Sequence, residues 1–379
     1  MRVALYLRHF PARGAPLIGG TSIAVDGLAA GLAENGADVR VLCEGRSRTT
    51  VRADAGYVIE CFPSRRPYHS FTLSPELARY AERELAPART LCLVNGMFHP
   101  GVYAMARTLQ RCRVPYVAVP HDPYERAVFH RNPHLKWPYW YLFERRLLRR
   151  ARAVQVLNMK HAACLRRLGI DTPVIETPNG VACRSELQES SLRWSDTTEP
   201  ARLVFLGRID AYNKGLDMLI DAFARVAESA SVKLTVQGPD WGDRARLQRR
   251  AAAWGLGDRV EFRGPDYGRA SPHIVAEHDM FCLPSRFEGF GLAALEAMIV
   301  ARVLLVSEET GIASHVAASG CGVAVRASVS GIEAGLLNLL QRRDEWPVMG
   351  SAGRRYALSQ LQWKRIAAAA LERYAGMIA

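Results

Sequence analysis

Several things are missing from this 379-residue chain, and each absence narrows the reading. It has no run of about 18 apolar residues of the kind that spans a bilayer. The best candidate, residues 291–306, is interrupted by Glu296 and Arg302. The opening stretch "MRVALYLRHF" is too short and too broken by arginine for a signal peptide, and reads as a first β-strand. Eight cysteines are scattered without a C-x-x-C pair, which argues against a zinc site or a disulfide framework and fits reduced thiols in a cytoplasm. There is no D-x-D motif, so a metal-held diphosphate is not indicated and no metal or cofactor is expected. Internal repeats, low-complexity segments and recognisable nucleic-acid modules are absent as well.

Acidic residues are scarce in one half only. Up to Cys183 there are 26 Lys+Arg and 14 Asp+Glu, a balance of +12; from Arg184 onward the counts are 24 and 23, or +1. An anionic partner for the first half follows as an expectation, against a plain solvated surface. The helical segment 140–152, "WYLFERRLLRRAR", sharpens it. At 100° per residue, Trp140, Tyr141, Phe143, Leu147, Leu148 and Ala151 fall within an arc of about 160°, opposite five arginines. Either this arc packs on a sheet with the arginines in water, or the helix lies on an anionic membrane surface.

Short apolar runs alternate with amphipathic stretches along the whole chain, the pattern of βαβ units around parallel sheets. Strands are expected at "RVALYL", "DVRVLCEG", "TLCLVN", "PYVAVP", "AVQVLN" and "PVIETPNG", then at "ARLVFLG", "VKLTVQG", "RVEFRG", "MFCLP" and "RVLLVS". Helices are expected at "SIAVDGLAAGLAENG", "GLDMLIDAFARVAESA", 243–255, 290–300 and the terminal "WKRIAAAALERYAGMI". The polar, aperiodic 184–200 reads as a linker. The expected domains are 1–183 and 184–358, both Rossmann-like, with 359–379 a helix packing back on the first.

In open α/β sheets, ligands sit beyond the C-terminal ends of the strands, so the loops that follow strands carry the interest. Gly19 and Gly20 precede a helix whose N–H groups can face an anion. Arg208 ends a strand and Lys214 opens a helix, a fork and a point charge suited to a diphosphate. In "PSRFEGFGLAALEAM", "GFGLAA" fits a dinucleotide fingerprint, with Glu308 and Glu309 about 20 residues on. But "PSRFE" separates strand from glycines, and that reading leaves Glu288 and Glu296 without a role. In the alternative, Glu288 sits in the loop and Glu296 on the helix, roughly 8 Å further along its axis. The N–H groups of Gly289, Phe290, Gly291 and Leu292 lie between them. That layout suits a nucleotide sugar: sugar hydroxyls, diphosphate, ribose hydroxyls. His121, in "VPHDPYE", reads first as a structural histidine after a strand.

"GRIDAYNKG" together with "PSRFEGFGLAALEAM" resembles the retaining GT-B glycosyltransferases of the large family 4, whose paired-glutamate motif falls on Glu288 and Glu296. The N-terminal "GG", "HD" at 121–122, "PNGV" at 178–181 and "QWKR" at 362–365 stand where that family has similar words. The resemblance implies two Rossmann-like domains facing each other across a cleft, with an acceptor in the first and a donor in the second. It implies Glu288 on the donor sugar, Glu296 on the ribose, Arg208 and Lys214 on the diphosphate, and His121 by the sugar. The donor base would meet the loop at Pro265. The implied activity is hexose transfer from a UDP- or GDP-sugar to a glycan or lipid-linked acceptor in cell-envelope synthesis. The expected location is the cytoplasm, with peripheral attachment to the inner face of the membrane, and no nucleic acid is expected as a partner. Transfer to a soluble small molecule, a sugar-nucleotide epimerase and a non-enzymatic binder of anionic polymers remain as alternatives. The chain departs from the family where a glycine and a proline usually precede the next strand: here the words are "IVARVLLVS".

Overall fold

In the computed structural model, which describes residues 1–11, 19–65, 70–130, 132–182 and 193–378, the chain forms two compact units. One comprises Met1–Gly180 with Gln362–Ala379; the other is Val181–Leu361.

The first unit runs β1 (Arg2–Tyr6), α1 (Gly20–Glu34), β2 (Asp38–Gly45), β3 (Thr49–Arg52), β4 (Val58–Pro63), α2 (Pro75–Glu84), β5 (Thr90–Asn95), α3 (Pro100–Arg111) and β6 (Tyr116–Val119). It continues with α4 (Arg126–His130), α5 (Pro133–Tyr139), a π-helical turn (Trp140–Glu144), α6 (Arg145–Arg150), β7 (Ala153–Val156), α7 (Lys160–Arg167) and β8 (Val174–Glu176). The eight strands lie in the order β3-β4-β2-β1-β5-β6-β7-β8, parallel except for β3. Both faces are covered, so the strands read as continuous apolar runs. In β1, Ala4 and Tyr6 join one core cluster while Val3 and Leu5 join the other, the alternation a pleated strand requires.

The second cluster is completed by the end of the chain. Helix α15 (Trp363–Ala375, numbered after the helices of the second unit) brings Trp363, Ile366, Ala367, Ala370 and Tyr374 against α1 and the sheet. Asn35 donates to the Lys364 carbonyl at 2.8 Å, and the Tyr374 hydroxyl donates to Gln155.

The second unit runs β9 (Ala201–Leu206), α8 (Leu216–Ser229), β10 (Val232–Gln237), α9 (Arg244–Ala253), β11 (Val260–Arg263), α10 (Ser271–Ala276), β12 (Met280–Leu283), α11 (Leu292–Ile299), β13 (Val303–Ser307), α12 (Ala313–Ser319), β14 (Gly322–Val325), α13 (Val329–Gln341) and α14 (Trp346–Gln360). Its six strands are parallel, in the order β11-β10-β9-β12-β13-β14. In each sheet the order reverses at one point: between β1 and β5 in the first, between β9 and β12 in the second. Those switch points open crevices at the strands' C-terminal ends.

The structure departs from the sequence reading in several places, among them α12, β14, α13 and α14, which stand between "RVLLVS" and the terminal helix where the sequence reading has no element. The sequence reading places no element between Gly45 and Thr90, yet β3, β4 and α2 stand there. β3 is four mostly exposed residues and leaves no apolar run to read, whereas β4, "VIECFP", is an apolar run broken by the buried Glu60 that the reading misses. The polar stretch 184–200 is not a free linker from Trp194 onward, although residues 184–192 lie outside the described residues. Ser195 donates through its backbone N–H (2.9 Å) and its hydroxyl (2.6 Å) to the fully buried Asp279 carboxylate, which Arg202 also grips. These hydrogen bonds outweigh burial and hold Asp279 below the usual carboxylate range. For 140–152 the structure bears out the first of the two alternatives: Trp140, Leu147 and Leu148 are buried, so the apolar arc is mostly core and is not free to lie on a membrane.

The missing glycine before β13 has a backbone consequence. Ala301 takes a left-handed conformation, φ 52°, which an L side chain disfavours. Its carbonyl is closely covered, since a Cβ on Gly350 would come within 2.0 Å of it, so the turn cannot relax. Ala301→Gly is therefore expected to raise folding stability by roughly 0.5–1 kcal/mol, relief of the strain exceeding the extra entropy of the unfolded chain. Urea unfolding checks it; a midpoint that falls would show the turn to be unstrained.

Candidate active site

The switch point of the second sheet gathers the loops 207–215 and 284–291, which follow β9 and β12. Two close backbone approaches seat them. Gly215 has φ 67°, and a Cβ there would lie 2.1 Å from the Pro284 carbonyl oxygen. Gly311, beyond β13, approaches the Gly289 carbonyl in the same manner, at 2.2 Å. Only glycine fits such contacts.

Polar bonds then fix the first loop. Asp210 accepts from the backbone N–H of Asn213 at 3.0 Å and from its side-chain amide at 2.6 Å. Ala211 donates to Asp243 at 2.8 Å. Arg286 locks one loop to the other: its backbone N–H donates to the Asn213 carbonyl at 3.0 Å, and its guanidinium holds Asp217 through two bonds of 2.8 Å. That fork also lies over the Tyr212 ring.

On this frame Lys214 and Glu288 form an ion pair, with 14% and 18% of their side chains exposed. The two residues stand 74 positions apart in sequence and are joined by the glycine contact beneath them. Gly289 and Phe290 are buried, and Gly291 caps α11 with φ 102°, leaving Leu292 as the first helical residue. Glu296 is one helical turn on. Burial pushes its carboxyl up to about 7, with a hydrogen bond from Ser271 pulling partly the other way.

Arg208 shares the loop with Lys214 but is exposed, and its guanidinium stacks on Trp241 at 4.4 Å from the ring centroid. Trp241 comes from the loop after β10, which is drawn in where Gly238 packs on Gly207. Pro265 is exposed in the loop after β11. Among the described residues no group of three or more His, Cys, Asp or Glu is arranged to hold a metal ion.

The other predicted residues belong to the first unit. Gly19, with φ 99°, precedes α1 and Gly20 begins it; residues 12–18 before them lie outside the described residues. His121 follows β6 with φ 67°, a conformation rarely taken by a side-chain-bearing residue. Its Nε2 lies 2.8 Å from Asn95 Oδ1. Asn95 settles which atom carries the proton. Its side-chain N–H groups donate to the carbonyls of Tyr6 and Leu93, both at 3.1 Å, so its oxygen must face the imidazole and can only accept. His121 is thus the Nε2–H tautomer, with Nδ1 left as the ring's acceptor. Burial lowers its pKa to about 4, so the ring is neutral at physiological pH.

Sequence reasoning missed Asn95, Trp241, Arg286 and Ser271. Asn95, Trp241 and Ser271 lie outside the quoted motifs, and Arg286, inside "PSRFE", meets Asp217 69 positions away in sequence.

The tautomer can be observed. Long-range 1H–15N spectra of histidine-labelled protein, assigned with His121→Gln, are expected to show His121 with Nε2 protonated and without titration between about pH 5.5 and 8. Titration near 6.5 or an Nδ1–H signal would contradict the Asn95 constraint.

Comparison with known proteins bears on the fold and the family. Residues 18–184 match the family described as Glycosyltransferase Family 4, and residues 200–342 the one described as Glycosyl transferases group 1. A mannosylfructose-phosphate synthase of Agrobacterium fabrum is 40% identical over 101 residues, 24% of this chain and 22% of that one. A phosphatidyl-myo-inositol mannosyltransferase of Mycobacterium leprae is 32% identical over 145 residues, 37% and 36% of the two chains. The aligned stretches thus span well under two thirds of either relative. The crystal structure of Anabaena HepE in complex with UDP-glucose superposes with a TM-score of 0.72 at 18% identity, covering 99% of this chain and 100% of that one. The two-domain α/β fold with parallel sheets is that of GT-B glycosyltransferase structures, and the family matches in both halves support a glycosyltransferase.

Proposed function

We propose that this chain transfers a hexose, with retention of anomeric configuration, from a UDP- or GDP-linked sugar to a glycan or lipid-linked acceptor of the cell envelope. The observation that carries the reading is the Lys214–Glu288 pair at the switch point of the second sheet, directly before the N-terminus of α11. It sets a cation, a carboxylate and free N–H groups at the place where an α/β sheet holds a nucleotide.

The roles follow from charge. Glu288 accepts hydrogen bonds from sugar hydroxyls. Lys214, Arg208 and the N–H groups from Gly289 to Leu292 take the diphosphate, and Glu296 takes the ribose. The bond from the anomeric carbon to the diphosphate oxygen breaks as the acceptor oxygen bonds to the same face of that carbon. The acceptor's proton passes to the departing phosphate oxygen. Charge grows on the diphosphate in this step, and the preorganised cations and backbone dipoles stabilise it without a metal. The HepE complex with UDP-glucose supports a nucleotide-sugar donor for this fold.

The site is tested by substitution. Lys214→Ala and Glu288→Gln are each expected to lower kcat by about a hundredfold. Near-UV circular dichroism should be unchanged, because the amide oxygen introduced by Glu288→Gln still accepts from Lys214 and the glycine contacts remain. Adding EDTA should leave the wild-type rate unchanged. If both variants kept kcat and KM within about twofold of wild type, the site would lie elsewhere. A strict need for added Mg²⁺ or Mn²⁺ would refute the metal-free clamp.

A pH dependence follows from Glu296. Its carboxyl gains a full set of acceptor lone pairs only above about 7, so donor KM is expected to fall as pH rises through that value. Glu296→Gln should flatten the profile; an unchanged profile in the variant would assign the titration to another group.

A further inference from the structure

The segment between β6 and β7 carries a surface that the donor site does not explain. Its inward side chains Phe129, Trp140, Leu147 and Leu148 belong to the core. Outward, Leu135, Trp137, Tyr141 and Leu142 are 61%, 37%, 63% and 62% exposed. These are four of the chain's twelve exposed large hydrophobics among the described residues, and they fall within eight consecutive positions. They are not loose side chains. Trp137 stacks on the buried Phe129 at 4.2 Å, and Tyr141 stacks near Trp137 at 6.0 Å, so the exposed rings are anchored to the core.

The charge along the segment is nearly all of one sign. Residues 126–152 contain eight Lys+Arg and a single acid, Glu144. Glu144 points inward: it is fully buried and accepts from the Tyr124 hydroxyl at 2.6 Å and the Phe98 N–H at 3.1 Å. The outer face of this segment therefore presents no anion. Arg145 and Arg146 stand one turn beyond Tyr141 and Leu142, and Arg146 is exposed. No helix among the described residues is long and apolar enough to cross a membrane.

We infer that Leu135, Trp137, Tyr141 and Leu142 insert at the surface of an anionic lipid bilayer, with the surrounding cations on its headgroups. The composition is that of an interfacial anchor: amphipathic rings at headgroup depth, leucines in the acyl boundary, and cations against the negative surface. A second copy of this chain is the wrong occupant, because a symmetric contact would set this cationic face against itself. The surface differs from the arc that a regular helix from Trp140 to Arg152 suggests, since that arc is mostly core. This inference deepens the glycosyltransferase reading by naming a lipid-linked acceptor class, but the binding itself needs no donor.

Co-sedimentation of the full chain with vesicles tests it. Binding to phosphatidylcholine–phosphatidylglycerol vesicles at low salt is expected, with little binding to pure phosphatidylcholine and loss at about 0.5 M salt, where the Debye length shrinks to a few ångströms. The double variant Tyr141→Ser/Leu142→Ser should weaken the partition coefficient by about tenfold or more, because each side chain forfeits its apolar burial. Arg146→Glu should weaken it as well. Both changes are at exposed positions and should leave slow hydrolysis of the donor sugar as it is in wild type. Indifference to both vesicle types at low salt overturns the proposal, as does binding that the variants do not alter. Self-association abolished by the double variant, without vesicle binding, would assign the face to a second copy and overturn it too. Vesicle binding without any donor hydrolysis would leave this inference standing and sink the proposed function instead.

Discussion

The candidate donor site depends on one close contact, the Gly215 backbone against the Pro284 carbonyl. Lys214 lies on a loop after one strand and Glu288 on a loop after another, and the fold has to bring them within bonding distance. A side chain at 215 would hold the loops apart, and its left-handed φ would disfavour any residue but glycine. With the loops seated, the rest is enforced locally. Asp210 clamps its own turn through Asn213, and Arg286 ties both loops to Asp217. The ion pair is thus a consequence of backbone packing, and the cation and the carboxylate are held in place before any ligand arrives.

The first unit contains a comparable constraint, built on a hydrogen bond. Asn95 is buried at the end of β5, with both donors taken by main-chain carbonyls. Its oxygen is left to face His121, which fixes the tautomer and, with burial, keeps the ring neutral. Both strand ends adjoin the switch point of that sheet, where β5 pairs with β1. In each unit a group with a defined charge state stands where the strand order creates a crevice, and a neighbouring loop or strand end decides its orientation.

The features legible in the sequence were those carried by local pattern. Fully buried parallel strands such as "RVALYL" and "MFCLP" announce themselves as apolar runs. The spacing of Glu288 and Glu296, and the pair "GR" and "KG" at 207–208 and 214–215, identify loops that follow strands. What could not be read depends on neighbours remote in sequence. Trp241 meets Arg208 only because β10 pairs with β9. β3 is too exposed to show a pattern. A helical wheel over 140–152 orders the side chains by angle but cannot tell which part of the arc the sheet covers. Tyr141, at the edge of that arc, turns to solvent in the π-helical turn. Ala301 shows no sign in composition that its backbone is left-handed.

On the proposed function, the resting state of the site has a further effect on which ligands it keeps. Lys214 is neutralised by Glu288 while the site is empty, so a ligand exchanges this pairing for new ones and does not simply meet an unpaired cation. A complete nucleotide sugar satisfies both partners, since phosphate oxygens replace Glu288 on Lys214 and sugar hydroxyls replace Lys214 on Glu288. A nucleoside diphosphate that has lost its sugar takes Lys214 and leaves Glu288, only 18% exposed, without a donor. Leaving a largely enclosed carboxylate without its partner is unfavourable, whereas restoring the ion pair is not. The same two residues that hold the donor therefore bias the site toward releasing the product once the sugar has moved.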